Sequence, residues 1–323
     1  MKFASQIRRR HWITGVAAVV VLLLVRCVSA PPARGMVVCG APFDLGTRVV
    51  TWREPGGYDA YVTRKVFTPE DVPDGKLRYS PLRGGLPAAM QERAAKNGLT
   101  LADLQQVVHQ FVLHFDVCGT SRQCFKILQD VRNLSVHFLL DVDGTIYQTL
   151  DLREKAWHAT IANDFSVGVE IAHPGAWPQP LNADMRRWYE RDDTGWRMKY
   201  PEWMQETGIR TPDFTARPDR PEIVSGEVQG RTWFQFDYTT QQYEALARLC
   251  AGLARVFPRI RLEVPRNPDG SVVNHVLPED ELRAFDGIVG HFHVQQNKQD
   301  PGPAMQWDRL LEQARALRDP AGN

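Results

Sequence analysis

The sequence has almost no net charge: 39 basic residues stand against 38 acidic ones, leaving +1 at neutral pH. That balance removes any electrostatic reason to look for a nucleic-acid partner. Cysteine is scarce, five in 323 residues, and none occurs in the tight pairs that a cysteine-only zinc site needs. There is no HExxH, which excludes the commonest helical zinc-protease pattern. Nor is there an apolar run long enough for an ordinary spanning helix: "ITGVAAVVVLLLV", ending at Val25, is roughly 13 residues where ~20 are needed. No internal repeat is present. What remains is ordinary for a globular chain, with 43% apolar and 24% charged residues, and the length allows one large domain or two small ones.

The amino terminus is basic and then apolar. Lys2, Arg8, Arg9 and Arg10 precede the apolar run, the pattern of an export signal. Residues 1–30 are read as a signal peptide, or else as an uncleaved membrane anchor, and the rest of the chain is expected in the periplasm, the cell envelope or the medium. An oxidising compartment permits disulfides. Cys118 and Cys124 in "VCGTSRQCF" enclose a short loop and are expected to pair, whereas Cys250 falls on the apolar face of a helix.

Residues 31–86 are rich in Pro and Gly and read as a wrapping extension to a domain over 87–318. "TLADLQQVV" opens with Thr100 and Asp103 in capping-box spacing. "QFVLHFD" alternates, with Phe111, Leu113 and Phe115 on one face and Val112 and His114 on the other, as a strand does. A helix ("SRQCFKILQDVRN") and a hairpin turning at Asp141–Gly144 follow. In "FSVGVEIAH", Val167, Val169 and Ile171 oppose Gly168, Glu170 and Ala172. Residues from about 173 to 237 show weak periodicity and read as a long insertion. "TTQQYEALARLCAGLARVF" is the clearest amphipathic helix, and a last helix is expected from about Pro303 to Leu317. Strands interspersed with helices predict an α/β fold around a mixed sheet flanked by helices.

Four polar residues stand where a structural role is costly. His114 lies among large apolar residues, Glu170 interrupts a β-branched strand, His291 ends the run "GIVG", and Asp300 follows nine residues later. Buried alone, each costs several kcal/mol, so they should satisfy one another or bind something. Two imidazoles and a carboxylate suit Zn²⁺, and three protein ligands leave a fourth position for water, as in catalytic sites. Glu170 is then available to move a proton, and Lys298 to face a developing oxyanion. The bareness of Gly168 and Ala172 leaves room for a substrate beside Glu170. A hydrogen-bonded core histidine is the competing reading of His114.

"FVLHFD", "SVHFLLDVDGTIYQ", "AWHA", "NDFSVGVEI" and "GHFHVQQNKQDPGPAMQW" stand in the order typical of zinc-dependent N-acetylmuramoyl-L-alanine amidases. Over about residues 105–315 the chain resembles the type 2 amidase superfamily, which includes AmpD-like enzymes and peptidoglycan recognition proteins. The resemblance implies zinc ligands at His114, His291 and Asp300, with aspartate at the third place as in the AmpD-like branch. It also implies catalytic roles for Glu170 and Lys298, and a disulfide between Cys118 and Cys124 like that of the recognition proteins. The activity implied is cleavage of the amide between N-acetylmuramic acid and L-alanine in peptidoglycan or muropeptides, by a monomer. Trp157, His158, Asn163 and His293 are candidate substrate-binding residues, His293 also as a group behind the metal ligands, while His137 is expected to be structural and His109 to lie on the surface. The arginine that AmpD-like enzymes offer to a diaminopimelate carboxylate is not found. A non-catalytic peptidoglycan receptor, or a zinc amidase acting on another amide, are the alternatives.

Overall fold

The computed structural model describes residues 35–68 and 73–319; the segment 1–30, read above as a signal or anchor, lies outside the described residues. Six strands form the central sheet: β1 (Val49–Thr51), β2 (Gln110–Phe115), β3 (Phe138–Leu140), β4 (Ile146–Gln148), β5 (Ser166–Ile171) and β6 (Gly287–Gly290). Their order across the sheet is β6-β2-β5-β3-β4-β1. Only β3 and β4 run antiparallel, joined through the turn in which Gly144 N–H donates to the Asp141 carbonyl; every other neighbouring pair is parallel. The mixed sheet flanked by helices is the architecture that the spacing of the elements predicts.

Parallel strands covered on both faces must be apolar on both, and burial follows that rule. Phe111, Leu113, Val167, Val169 and Ile288 enter the main core. There they meet helix α3 (Thr240–Val256) and helix α5 (Trp307–Arg318). The opposite face carries Leu139 and Tyr147 under helix α2 (Ser121–Lys126), which continues as a wider turn through Arg132. His114 and Glu170 belong to this second face.

The helix starts are written locally. Thr100 and Asp103 form the expected capping box of α1 (Leu101–Val107), and Thr239 with Gln242 forms that of α3. Each satisfies two amide donors that helix geometry leaves without partners. The last helix begins at Trp307 rather than at Pro303. Tertiary bonds hold the chain before it out of helical shape: Tyr238 Oη donates to the Pro301 carbonyl at 2.6 Å, and the Ala304 N–H to Gln235 Oε1 at 3.0 Å. His109, expected on a helix surface, lies beyond the end of α1 and is buried, stacked on Phe165.

The insertion is more ordered than its periodicity suggests. It contains a short helix (Ala183–Trp188) and two hairpins, Tyr189–Asp192 with Gly195–Met198 and Val224–Val228 with Arg231–Gln235. Met185, Tyr189, Met198 and Phe236 bury one another, with Trp177, Trp188 and Trp196 packed around them. Aromatic mass, rather than a repeating pattern, supplies this small core. In the Pro/Gly-rich extension, β1 joins the sheet edge and Met36 and Val38 enter the main core.

The β3–β4 turn carries a titratable group in an apolar place. Asp141 is fully buried, Oδ1 accepts from the Val142 N–H at 2.9 Å, and Oδ2 has no partner among the described residues. Burial pushes its pKa up to about 8. A carboxyl raised in the folded state contributes stability below its unfolded pKa of about 4 and loses it as pH rises through the folded value. Asp141→Asn carries no charge at any pH, so its Tm relative to the parent should climb between pH 5 and pH 8. A difference that stays constant with pH would show that Asp141 is not held protonated.

Candidate metal centre

β2 and β5 pair so that His114 stands directly opposite Glu170. In parallel strands such partners project from the same face, so strand register alone sets the imidazole beside the carboxylate. β6 lies on the other side of β2, with Gly290 opposite Leu113. The strand ends there and the chain turns into the single helical turn α4 (His291–Val294). His291 is thereby delivered to the end of β2. The loop after α4 returns Asp300, whose carbonyl accepts from the Phe292 N–H at 3.1 Å.

Three ligand atoms converge. His114 Nδ1 and His291 Nδ1 are 2.8 Å apart, and Asp300 Oδ2 lies 3.0 and 2.9 Å from them. All three residues are buried, and they are the metal-competent group found among the described residues. His291 Nε2 donates to Gln295 Oε1 at 2.7 Å, so its neutral ring presents a lone pair at Nδ1. His114 Nε2 bonds His158 Nδ1 at 3.0 Å, a pair in which either ring can be the donor. The His291 lone pair and Asp300 Oδ2 lie 2.9 Å apart with His114 Nδ1 within 3.0 Å of both, so what satisfies them is either the His114 proton or a cation. The donor set therefore fits a metal ion with two nitrogen ligands and one oxygen ligand, the chemistry of a catalytic zinc site.

The electrostatics agree. Burial, and then the neighbouring His291, pull His114 down to about 4, so its ring is neutral at physiological pH. Burial alone would raise Asp300, but His291 and His114 outweigh it and hold the carboxylate below its usual range. Glu170 moves the other way: burial first, then the Asp300 and Asp116 carboxylates, push it well above the normal value. A proton acceptor of raised basicity beside a cation site is suited to general-base work.

These groups line one cavity of about 120 Å³, together with Lys298, Trp157 and His158. The expected ligands and catalytic pair are thus all gathered in one place. His158 occupies the space that the bareness of Gly168 was expected to leave for substrate: a Cβ on Gly168 would fall 2.5 Å from the His158 ring. The missing side chain lets the imidazole cross the strand and bond His114. Ala172 faces the core of the insertion instead.

Other candidates stand elsewhere. His293 would share the face of His291 only if β6 continued. Because the chain turns helical, His293 is buried away from the cavity, accepting from the Gly290 N–H and donating to the Val273 carbonyl. Asn163 Oδ1 accepts from the His158 and Ala159 N–H groups and so holds the histidine loop rather than lining the cleft. Trp157 lines it, with Nε1 donating to Ser80 Oγ. His137 is structural as expected, bonded between the Glu154 carbonyl and the Gly168 N–H. Cys118 and Cys124, expected to pair, stand side by side at the cleft wall with their thiols unbridged and hydrogen-bonded to one another.

Two lining residues escaped the reading of the sequence. Asp116, two positions after His114, accepts from the Cys118, Gly119 and His173 N–H groups through Oδ1. Burial raises it to about 7. Its position on the alternating face was the available signal. Arg132 also reaches the cleft and has no ion-pair partner among the described residues. Nothing in its local sequence separates it from other helix-surface arginines.

Gln295→Leu removes the acceptor that orients His291 and should weaken metal binding by about 10- to 100-fold without unfolding the chain. Chelator competition measures the affinity and circular dichroism the fold; an unchanged affinity would show that Gln295 does not set the state of His291.

Residues 104–200 match the family model described as N-acetylmuramoyl-L-alanine amidase. That segment includes His114 and Glu170, whereas His291, Lys298 and Asp300 lie beyond it and reach the site through the fold. No curated protein sequence matches the chain. Among solved structures, a selenomethionine derivative of AmpD is 17% identical, with 80% of this chain and 98% of that one covered and a TM-score of 0.33. The N-acetylmuramyl-L-alanine amidase AmiD from E. coli is 17% identical at a TM-score of 0.35, over 64% of this chain and 57% of AmiD. The Staphylococcus aureus hydrolase AmiA is 10% identical at 0.36, over 74% and 96%. At these identities and TM-scores the solved structures carry no argument of their own. On the family match and the residues of its site, the chain resembles the type 2 amidase and peptidoglycan recognition protein superfamily.

Proposed function

We propose that the chain is a zinc hydrolase that cleaves the amide between N-acetylmuramic acid and L-alanine in peptidoglycan or its muropeptides. The observation that carries this reading is the convergence of three buried residues with metal-ligating atoms, His114, His291 and Asp300, beside the half-buried Glu170 carboxylate in register with His114. His114, His291 and Asp300 would hold the ion. Bound there, Zn²⁺ supplies a polarised scissile carbonyl and an acidified water.

The protein's own groups do the rest. Glu170 accepts a proton from the attacking water and returns it to the nitrogen of L-alanine as the C–N bond breaks, leaving the lactyl carboxylate of the sugar. Lys298 sets a positive charge on the cavity wall for the oxygen of the tetrahedral intermediate. Arg132 offers the stem-peptide carboxylates a cation at the mouth. His158 and Gln295 hold the two ligand imidazoles in the required orientation.

The basic and apolar start of the chain supports work outside the cytoplasm. In an oxidising compartment the adjacent Cys118 and Cys124 thiols are proposed to pair. Alkylation of exported, denatured protein followed by peptide mapping should then leave Cys118 and Cys124 unlabelled while Cys39 and Cys250 are labelled, and label on Cys118 and Cys124 would exclude the bridge.

Digestion of purified sacculi by zinc-loaded protein, with products weighed by mass spectrometry, tests the activity. Free stem peptides beginning at L-alanine are expected, and chelator should abolish their release. Cleavage inside the stem peptide, or binding with no product at all, would refute the assignment. Glu170→Gln should retain zinc and fold while losing activity by at least about 100-fold; near-parental turnover would remove it from the mechanism.

A further inference from the structure

The insertion carries a surface whose composition its own small core does not explain. Trp188 packs into that core, but Trp203 is 61% exposed, and the two rings meet edge to face with centroids 6.2 Å apart. Trp203 is not on a loose tip. The Met204 N–H donates to the Pro201 carbonyl at 2.8 Å, closing a turn, and Met204 itself is buried, its sulfur 4.0 Å from Thr120 Oγ. The next residue is anchored, and the indole is held outward.

Trp203 borders an open groove of about 640 Å³ with Tyr200, Arg186, Arg187 and Lys199, against one acidic lining residue, Glu202. Among the described residues Arg187 pairs with the exposed Asp184, and Lys199 is 4.0 Å from Glu190. Arg186 donates to the Leu181 carbonyl and has no carboxylate partner among the described residues. An aromatic face beside several cations suits a ligand that offers apolar sugar faces and carboxylates together.

The groove and the metal cavity have no lining residue in common, but neighbouring chain ties them together. Val117 and Cys118 line the metal cavity; the next residue, Gly119, lies so close to Trp188 that a Cβ there would fall 2.5 Å from the indole. Arg122 pairs with Glu206, fixing the Trp203 turn to the start of α2.

We propose that the Trp203 groove is a second binding site for the peptidoglycan strand, holding sugar and stem-peptide carboxylates at a distance from the bond being cut. This rests on the proposed substrate, and it assigns the insertion the task of favouring polymer over small muropeptides.

Trp203→Ala and the double variant Arg186→Ala/Arg187→Ala touch only exposed side chains. The test measures co-sedimentation of the full zinc-loaded chain with sacculi stripped of covalently attached anionic polymers, alongside turnover of a soluble disaccharide-tripeptide. Each variant should bind sacculi about tenfold more weakly, with soluble turnover within about twofold of the parent and Tm unchanged. For the double variant, parental binding should fall with added salt toward the variant's level. Unchanged binding to stripped sacculi overturns the proposal. So does an equal loss on the soluble substrate, or binding seen only with unstripped sacculi, where another anionic polymer would be the ligand. Should the parent bind but never hydrolyse, the groove is still judged by sedimentation while the hydrolase reading falls.

Discussion

The convergence of His114, His291 and Asp300, with their ligand atoms within 3.0 Å of one another, is the constraint around which this fold is arranged. His114 and His291 each engage a neighbour through the outer nitrogen, Nε2 to His158 and to Gln295. Their Nδ1 atoms turn inward toward Asp300 Oδ2. Burying three such polar groups is costly unless they bond one another or a cation. The surrounding structure keeps it assembled: β2 carries His114, β6 beside it ends at Gly290 and delivers His291 at the start of α4, and Gln229 donates to the carbonyls of Phe292, Gln295 and Lys298, bracing the loop that brings Asp300 back.

Small residues and buried amides near the site act as spacers more than as binding groups. Gly168 is bare so that an imidazole can lie over the strand, and Gly302, at φ +83°, passes where a side chain would strike Gln235. Tyr238 and Gln235, from the end of the insertion and just after it, hold the Pro301 carbonyl. The insertion thus supports the third ligand from behind while carrying its own aromatic surface. One segment, placed between β5 and α3, is coupled to the metal centre on one side and offers an exposed indole on the other.

Much of this was legible in the chain itself. Alternation set His114 apart from the apolar face of its strand and Glu170 apart from that of its own, since side chains in a strand point to opposite sides by turns. Thr100–Asp103 marked a helix start because capping is a bond between residues three apart. Costly polar residues in apolar runs pointed to His114, His291 and Asp300, which the fold brings together, because burial energetics do not depend on which partner is found.

What the tertiary structure alone decided involves distance along the chain. The spacing of 177 residues between His114 and His291 says nothing about a 2.8 Å approach, which follows from the order of strands in the sheet. Whether β6 went on to carry His293 to the same face depended on α4 forming after Gly290, stabilised by contacts from remote segments. The use of Gly168 by His158, the arrival of Arg132 and Asp116 at the cavity, and the outward pose of Trp203 likewise depend on segments meeting across the fold. Local sequence sets periodicity and capping through bonds between near neighbours; the site required packing between segments that have no sequence relation to one another.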